Sequence, residues 1–381
     1  MDFAWNPQQV ALRNEVLQFA ERELGSGFVE REALGEFDRA GWQACGRFGI
    51  QGLPMPRAHG GRELDLPSVV LALESLGYAC PDNGLLFALG AQLWSVQMPL
   101  LRFGNPAQHE RFLPGLIAGA HIAAHAVTEP EAGSDMSSMQ TTARRDGAGY
   151  VLSGRKRYIT SAPIANLFLV TARLEPSDGG RSLAVFIVEH GTAGLSVSPA
   201  MSKMGLRTAL MGEVNLEECR LPAESLLGKE GVGSAVFAAA MEWERAFILA
   251  PVLGHLARQL EQCIQYARRR RQFGRPIGKN QAVANKLADM HVRLESARLL
   301  LYRAAWLKES GKRLTSLASV VKLQVSEAWV QGALDALQVH GALGYLVESG
   351  FEREVRDALA SRLFSGTSEI QKVIIAEFLG V

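Results

Sequence analysis

Hydrophobic and polar positions change their spacing twice along the chain. At Asn6-Pro7 the order suits a helix cap followed by a first helical residue. Val10, Leu12, Val16, Leu17, Phe19 and Ala20 then recur at roughly helical spacing. Pro67-Ser68 precedes a second apolar run, Val69 to Tyr78. Leu85 to Leu101 is a third run and carries no charge, so it is expected to be a buried helical region. Near His121 the texture becomes β-rich: Gly149 to Gly154, Asn166 to Arg173, Ser182 to Val188 and Leu195 to Pro199 are short runs. Asp146-Gly147, Asp178-Gly179-Gly180 and Gly194 punctuate them. Close spacing of this kind predicts antiparallel strands rather than βαβ units, the last strand being Gly212 to Leu216. From about Ser234 the helical period returns, with a bend expected at Pro251 and a break at Arg275-Pro276-Ile277-Gly278. Ala282 to Ser310 and Leu314 to Leu337 are long amphipathic runs. The expected fold class is α+β: an N-terminal α-helical domain (1–121), a middle antiparallel β-barrel-like domain (122–229) and a C-terminal four-helix bundle (230–381).

Glu244 is the acid that this pattern singles out, early in a helical run expected to reach Arg271. Phe237, Met241, Ile248, Pro251 and His255 share its stripe. A carboxylate in such company is poorly solvated, which raises its pKa and its strength as a base. Glu242 lies about 200° around the helix, at roughly 100° per residue, and faces elsewhere. Spacing alone leaves two roles open for Glu244, a base or a carboxylate paired with an arginine.

Bulk properties narrow the classes. The 381 residues are ample for two or three domains, and 48% hydrophobic with 21% charged residues is ordinary for a globular protein. A net charge of +1 argues against nucleic acid or a membrane surface as the main partner. Cys45, Cys80, Cys219 and Cys263 lack metal or disulfide spacing, the N-terminus lacks a signal-peptide pattern, and no stretch approaches the ~18 apolar residues of a membrane span. A cytoplasmic location is expected.

Several tempting motifs carry little. Gly231-Val232-Gly233 lacks the third glycine of a dinucleotide fingerprint, since Val236 stands there. Arg268 to Arg271 circle a helix instead of forming one patch, although one or two could grip a phosphate. Ser134 lacks a nucleophile elbow, and His125 and His340 have no carboxylate partner by spacing.

Five segments together resemble the acyl-CoA dehydrogenase flavoprotein family. They are Ala126 to Asp135 (AVTEPEAGSD), Lys156 to Thr160 (KRYIT), Arg270 to Ile277 (RRQFGRPI), Gln338 to Gly344 (QVHGALG) and Ser365 to Gln371 (SGTSEIQ), in the family's order and spacing. The resemblance implies FAD held between the β domain and the bundle. His125, Val127, Thr128, Gly133 and Ser134, with Tyr158, Ile159 and Thr160, would lie along the flavin. Arg270, Phe273, Gln281, Gln338, Val339, Gly341 and Ala342 would meet its pyrophosphate and adenine across a subunit boundary, which implies a homo-oligomer, a tetramer in most relatives. Thr367 and Glu369 match the last cofactor positions, and Ser134, Met241, Arg245, Ser365 and Gly366 the substrate contacts.

Many relatives carry their catalytic acid where this chain has Ser365, and a serine hydroxyl cannot replace it unaided. A minority, including isovaleryl-CoA dehydrogenase-like enzymes, place the base on the long helix before an arginine, which Glu244-Arg245 matches. The implied reaction is α,β-dehydrogenation of a thioester. Trp243 to Ala246 with Phe364 to Thr367 look most like the subgroup acting on acyl or aminoacyl (prolyl-type) groups tethered to acyl or peptidyl carrier proteins. A short or branched-chain acyl-CoA dehydrogenase using a CoA thioester, and a flavin monooxygenase on the same fold, are the competing expectations. An electron-transfer flavoprotein or O2 would take the electrons.

Overall fold

Asn6 caps the first helix as its sequence predicts: its side chain accepts from Gln9 N at 2.9 Å, and the Gln9 side chain accepts from Asn6 N at 3.1 Å. The computed structural model describes residues 4–175 and 182–381, so the turn expected at Asp178-Gly179-Gly180 lies outside the described residues. The N-terminal helices are α1 (Pro7–Glu23), α2 (Phe28–Leu34), α3 (Arg39–Phe48), α4 (Leu66–Ala79), α5 (Asn83–Gln92), α6 (Met98–Phe103) and α7 (Pro106–Ile117). A π-helical turn, Leu93–Gln97, joins α5 to α6.

The uncharged run forms α5, the π turn and α6, buried as expected. Asn83–Phe103 is nevertheless long and apolar enough to cross a membrane, which corrects the expectation that no stretch comes near that length. Its most apolar window is 78% buried within the protein, so the core accounts for its composition.

The strands are β1 (Ala123–Ala126), β2 (Thr142–Asp146), β3 (Gly149–Thr160), β4 (Leu167–Glu175), β5 (Leu183–Glu189), β6 (Leu195–Val197), β7 (Met211–Leu221) and β8 (Leu226–Leu227). Their order is β6-β7-β3-β2-β4-β5-β8, with β1 also paired to β4. Most ladders are antiparallel, but β1 and β2 both run parallel to β4. The sheet is therefore mixed. Strand periodicity reports which residues are strands, not which distant strand lies alongside. β7 also extends beyond the expected 212–216 stretch.

Both faces of the central strands are covered. Phe168, Val170, Phe186 and Val188 enter the core of the sheet domain, while Leu169, Val185 and Ile187 enter the larger core shared with the helices. β1 packs against α5 and the π turn. Gln92 Oε1 accepts from Ala123 N at 2.7 Å across that seam.

The C-terminal region comprises α8 (Gly233–Phe247), α9 (Ala250–Arg269), the two-stranded β9 (Arg271–Gln272) and β10 (Arg275–Pro276), then α10 (Gln281–Glu309), α11 (Thr315–His340), α12 (Phe351–Ala360) and α13 (Ser368–Leu379). The four long helices α8 to α11 pack together. The expected continuous helix to Arg271 divides at Ile248-Leu249, and Pro251 sits in the first turn of α9, where its missing N–H costs no hydrogen bond. His255 thereby leaves the Glu244 stripe, and its Nε2 lies 2.9 Å from Glu354 Oε2.

Helices α4 and α9 cross at glycines. A Cβ on Gly77 would fall 1.8 Å from Pro251 O, and one on Gly254 would fall 1.9 Å from Glu74 O. Backbone cannot yield as a side-chain tip can. Gly254→Ala is expected to cost about 3 kcal/mol or more and to lower the thermal unfolding midpoint by several degrees. An unchanged midpoint in a calorimetric scan would remove this close approach as the reason for the glycine.

Candidate active site

Glu244 projects from the C-terminal part of α8 with 8% of its surface exposed. Burial pushes its carboxyl above the ordinary carboxylate range, while the Ser365 hydroxyl, Arg245, Ser95 and Lys322 pull the other way. Ser365 Oγ donates to Glu244 Oε1. Arg245 turns past the acid: its Nε donates to the Ser365 carbonyl at 3.1 Å. Glu242 faces away, as its angle predicts, and accepts from Lys308 Nζ and from Leu314 N at 3.2 Å.

The 365–367 turn is built to hold this arrangement. Ser365 and Gly366 take φ of 56° and 87°, a left-handed path that costs a non-glycine residue energy. Their carbonyls are gripped from below: Lys322 Nζ donates to Gly366 O at 2.8 Å, and Gln371 Nε2 donates to Ser365 O at 3.1 Å and Gly366 O at 2.8 Å. Thr367 caps α13 by accepting from Ile370 N at 3.3 Å, with Glu369 exposed in its first turn. Burial, then Arg245, hold Lys322 down to about 8.

Aromatic rings close the neighbourhood. Trp94 of the π turn stacks on Trp243 at 5.8 Å and meets Phe247 at 5.2 Å, and Phe87 of α5 packs on Phe364 at 4.5 Å. Met241, one turn before the acid, is buried. Glu244 and Arg245 thus meet the Ser365-Gly366 turn, with Met241 one helical turn before the acid. The 360 Å³ cavity lined by Trp5, Arg13, Tyr78 and Tyr302 among others lies between α1, α4, α9 and α10, and Glu244 does not line it.

A second cluster lies where β1 meets β3. Arg157 N donates to Thr128 O at 2.8 Å, which sets the segment after β1 beside the end of β3. Lys156, fully buried, donates to Val127 O at 3.0 Å and to Glu129 Oε1 at 2.8 Å. Glu129 also accepts from Gln140 N at 2.6 Å and Thr141 N at 2.9 Å, so one carboxylate closes the 129–141 loop that carries Gly133 and Ser134. Burial drops Lys156 to about 8 against the pull of Glu129. Burial and Lys156 together hold His125 at about 4, a neutral imidazole whose buried Nε2 has no partner among the described residues. Tyr158 has φ 61° and is 52% exposed. Ile159 is buried and Thr160 half-buried, so the side chain of Ile159 points into the sheet core and only its backbone is free to serve a ligand.

A third cluster gathers at the far ends of α9 and α11. Arg270 is exposed, Ile277 N donates to its carbonyl at 2.8 Å, and Phe273 stands 95% exposed at φ 51°. Gln281 opens α10, exposed. Tyr266 and Phe351 sandwich His340 at 4.3 and 3.9 Å, and Gln338, Gly341 and Ala342 around it are exposed while Val339 is buried. A phenyl ring left in water beside an arginine suits a site completed by another surface.

These second and third clusters fit the cofactor that the sequence motifs imply. The second exposes hydroxyls and an aromatic face for a flat, polar-edged ring. The third offers a guanidinium for a pyrophosphate and an aromatic for a base. Sequence reading missed Lys322, Gln371 and the Lys156–Glu129 pair. Lys156 and Glu129 lie inside the family's motifs, yet nothing in a one-dimensional pattern shows that residues 27 apart meet.

The family models agree with this geometry. Residues 6–120 match the acyl-CoA dehydrogenase N-terminal domain, 124–219 the middle domain and 231–380 the C-terminal domain. Over 381 residues the chain is 40% identical to an L-prolyl-[peptidyl-carrier protein] dehydrogenase of Pseudomonas fluorescens, covering 100% of both. Among solved structures, the prolyl acyl carrier protein oxidase AnaB superposes with TM-score 0.98 at 50% identity, over 99% of this chain and 100% of that one. PigA with FAD and proline superposes with TM-score 0.96 at 37% identity, over 100% and 99%. With all three domain models matched in order across a helix–sheet–helix chain, this protein belongs to the acyl-CoA dehydrogenase family.

Proposed function

We propose that this chain is an FAD-dependent dehydrogenase of an aminoacyl thioester of prolyl type, carried on a carrier protein, with Glu244 as the base. The observation that carries the reading is the buried carboxylate of Glu244 held against the Ser365 turn, where many relatives have their acid. Support for the substrate class comes from the prolyl-carrier-protein dehydrogenase of P. fluorescens and from AnaB. PigA, solved with FAD and proline, supports the cofactor.

FAD, when bound, supplies the acceptor for the hydride that leaves the β carbon. Val127, Thr128, Gly133, Ser134, Tyr158 and Thr160 would hold its ring, with Thr367 and Glu369 at the last contacts. Arg270, Phe273, Gln281 and the 338–342 turn would hold the rest from a second copy, in a tetramer. Glu244 takes the α proton of the thioester, and the electrons of that Cα–H bond become the second pair of the new Cα=Cβ bond. Burial strengthens the carboxylate for this step and excludes water from it. The ionised form is required, so flavin reduction falls as pH drops through the raised pKa of Glu244. The protein would act in the cytoplasm, passing electrons to an electron-transfer flavoprotein or to oxygen. Its four cysteines, all free and buried, suit a reducing compartment.

The test is flavin bleaching in the purified holoprotein. Prolyl-carrier protein is expected to bleach the visible absorption band of the oxidised flavin faster than isovaleryl-CoA does. Faster reduction by the CoA ester would replace this reading with that of a branched-chain acyl-CoA dehydrogenase.

A further inference from the structure

Two fully buried polar side chains, Lys322 of α11 and Gln371 of α13, lie against the 365–367 turn. Lys156, the other fully buried lysine, has the Glu129 carboxylate at 2.8 Å. Lys322 has no such counter-ion among the described residues, and its Nζ donates to Gly366 O. Taking an ammonium out of water without an anion beside it is costly. That cost is spent on a single backbone carbonyl of the turn.

The turn needs holding. Ser365 runs at φ 56°, which a residue with a Cβ keeps only where its surroundings over-determine it. Here they do. Ser365 O accepts from Arg245 Nε and from Gln371 Nε2, both at 3.1 Å. Gly366 O accepts from Lys322 Nζ and from Gln371 Nε2, both at 2.8 Å. Gln371 thus bonds both carbonyls, and it sits so close that a Cβ on Gly366 would fall 2.8 Å from its Nε2. The residue whose carbonyl is gripped is also the one whose hydroxyl donates to Glu244 Oε1. The backbone angles of Ser365 aim that hydroxyl, and the grip on the two carbonyls fixes those angles.

We infer that Gln371 and Lys322 are positioning residues for the base: by fixing the carbonyls of Ser365 and Gly366 they hold the Ser365 hydroxyl on Glu244. The inference rests on Glu244 being the base. A donated hydroxyl favours the ionised carboxylate, the form that takes the α proton. The charged groups that act on the acid are Arg245 from its own helix and Lys322 from α11, and Lys322 itself also feels Glu327 of α11 and Glu369 of α13. Gln371 is uncharged, so its removal alters the geometry and leaves every one of these charges in place.

The test is a double-mutant cycle of Gln371→Leu with Ser365→Ala in the full-length holoprotein. Single-turnover flavin reduction is followed against pH, using whichever of prolyl-carrier protein and isovaleryl-CoA bleaches the flavin faster. Each single variant should slow the saturating rate about tenfold, the low end for a hydrogen bond to a charged group. Each should also move the acid limb about one unit higher, with FAD content unchanged. The double variant should do no more than either single, because the hydroxyl that Gln371 positions is already gone. Lys322→Met should likewise fail to add to Ser365→Ala in the rate above the acid limb, and it carries the test if Gln371→Leu does not fold. Single effects that multiply in the double variant, or a Gln371→Leu profile that superimposes on the parent, would overturn the inference. Both residues would then be ties between two helices and a loop. Rapid flavin reduction in Glu244→Gln would instead overturn the assignment of the base.

Discussion

Glu244→Gln is expected to keep its FAD and its fold while flavin reduction by substrate slows by about 10²- to 10⁴-fold, the usual worth of a positioned general base. The substitution is nearly isosteric, and its amide oxygen can still accept from Ser365, so the 365–367 turn keeps its partner. What disappears is the only feature of the acid that the reaction uses, a lone pair able to hold a proton. Arg245 and Lys322 cannot substitute, because both are engaged with the carbonyls of Ser365 and Gly366. Stopped-flow absorbance with the prolyl-carrier protein separates this outcome from a binding defect. A variant retaining more than a tenth of the parent rate (roughly one decade below it) would return Glu244 to a structural role.

Lys156→Met is expected to destabilise the protein by about 3 kcal/mol, the low end of the range for breaking a buried pair. The residue is fully buried, and its loss leaves the Glu129 carboxylate without its cation. The low end applies because Gln140 N and Thr141 N still donate to Glu129. Glu129→Gln in the same chain should recover much of the loss by removing the stranded charge. Denaturant melts of both variants give the comparison, and a Lys156→Met midpoint equal to the parent's would contradict it. The sign of the pH effect is fixed by the direction of the shift. Lys156 is held at about 8, below its ordinary 10.5. Between those values the unfolded chain keeps a proton that the folded chain has released, so this residue makes stability rise with pH across that window. Lys156→Met should flatten that rise. FAD fluorescence on dilution should also report faster release from the variant, because the pair ties the 129–141 loop to β3.

Much of this is legible from local pattern. The Asn6-Pro7 cap, the buried uncharged run and the hairpin at Asp146-Gly147 come from preferences that act over a few residues. The opposed directions of Glu242 and Glu244 come from helical geometry. Departures fall where the outcome depends on a distant partner. Pro251 reads as a bend within a helix, but it sits in the first turn of α9, its carbonyl packed closely against Gly77 of α4, and the break falls at Ile248-Leu249 instead. β1 and β2 run parallel to β4, which no turn signal announces. The π turn is invisible because its residues, Leu93 to Gln97, read as any apolar helix would.

What the chain's own order determined is the helix–sheet–helix partition, the ends of its helices and the choice of Glu244 over its neighbour, because backbone preference and hydrophobic period are local. Only the folded structure decided what touches that acid. Ser365 reaches it from 121 residues away, and Arg245 and Gln371 hold the Ser365 carbonyl from two different helices. Such contacts are set by how packed elements meet, and packing belongs to the whole chain at once.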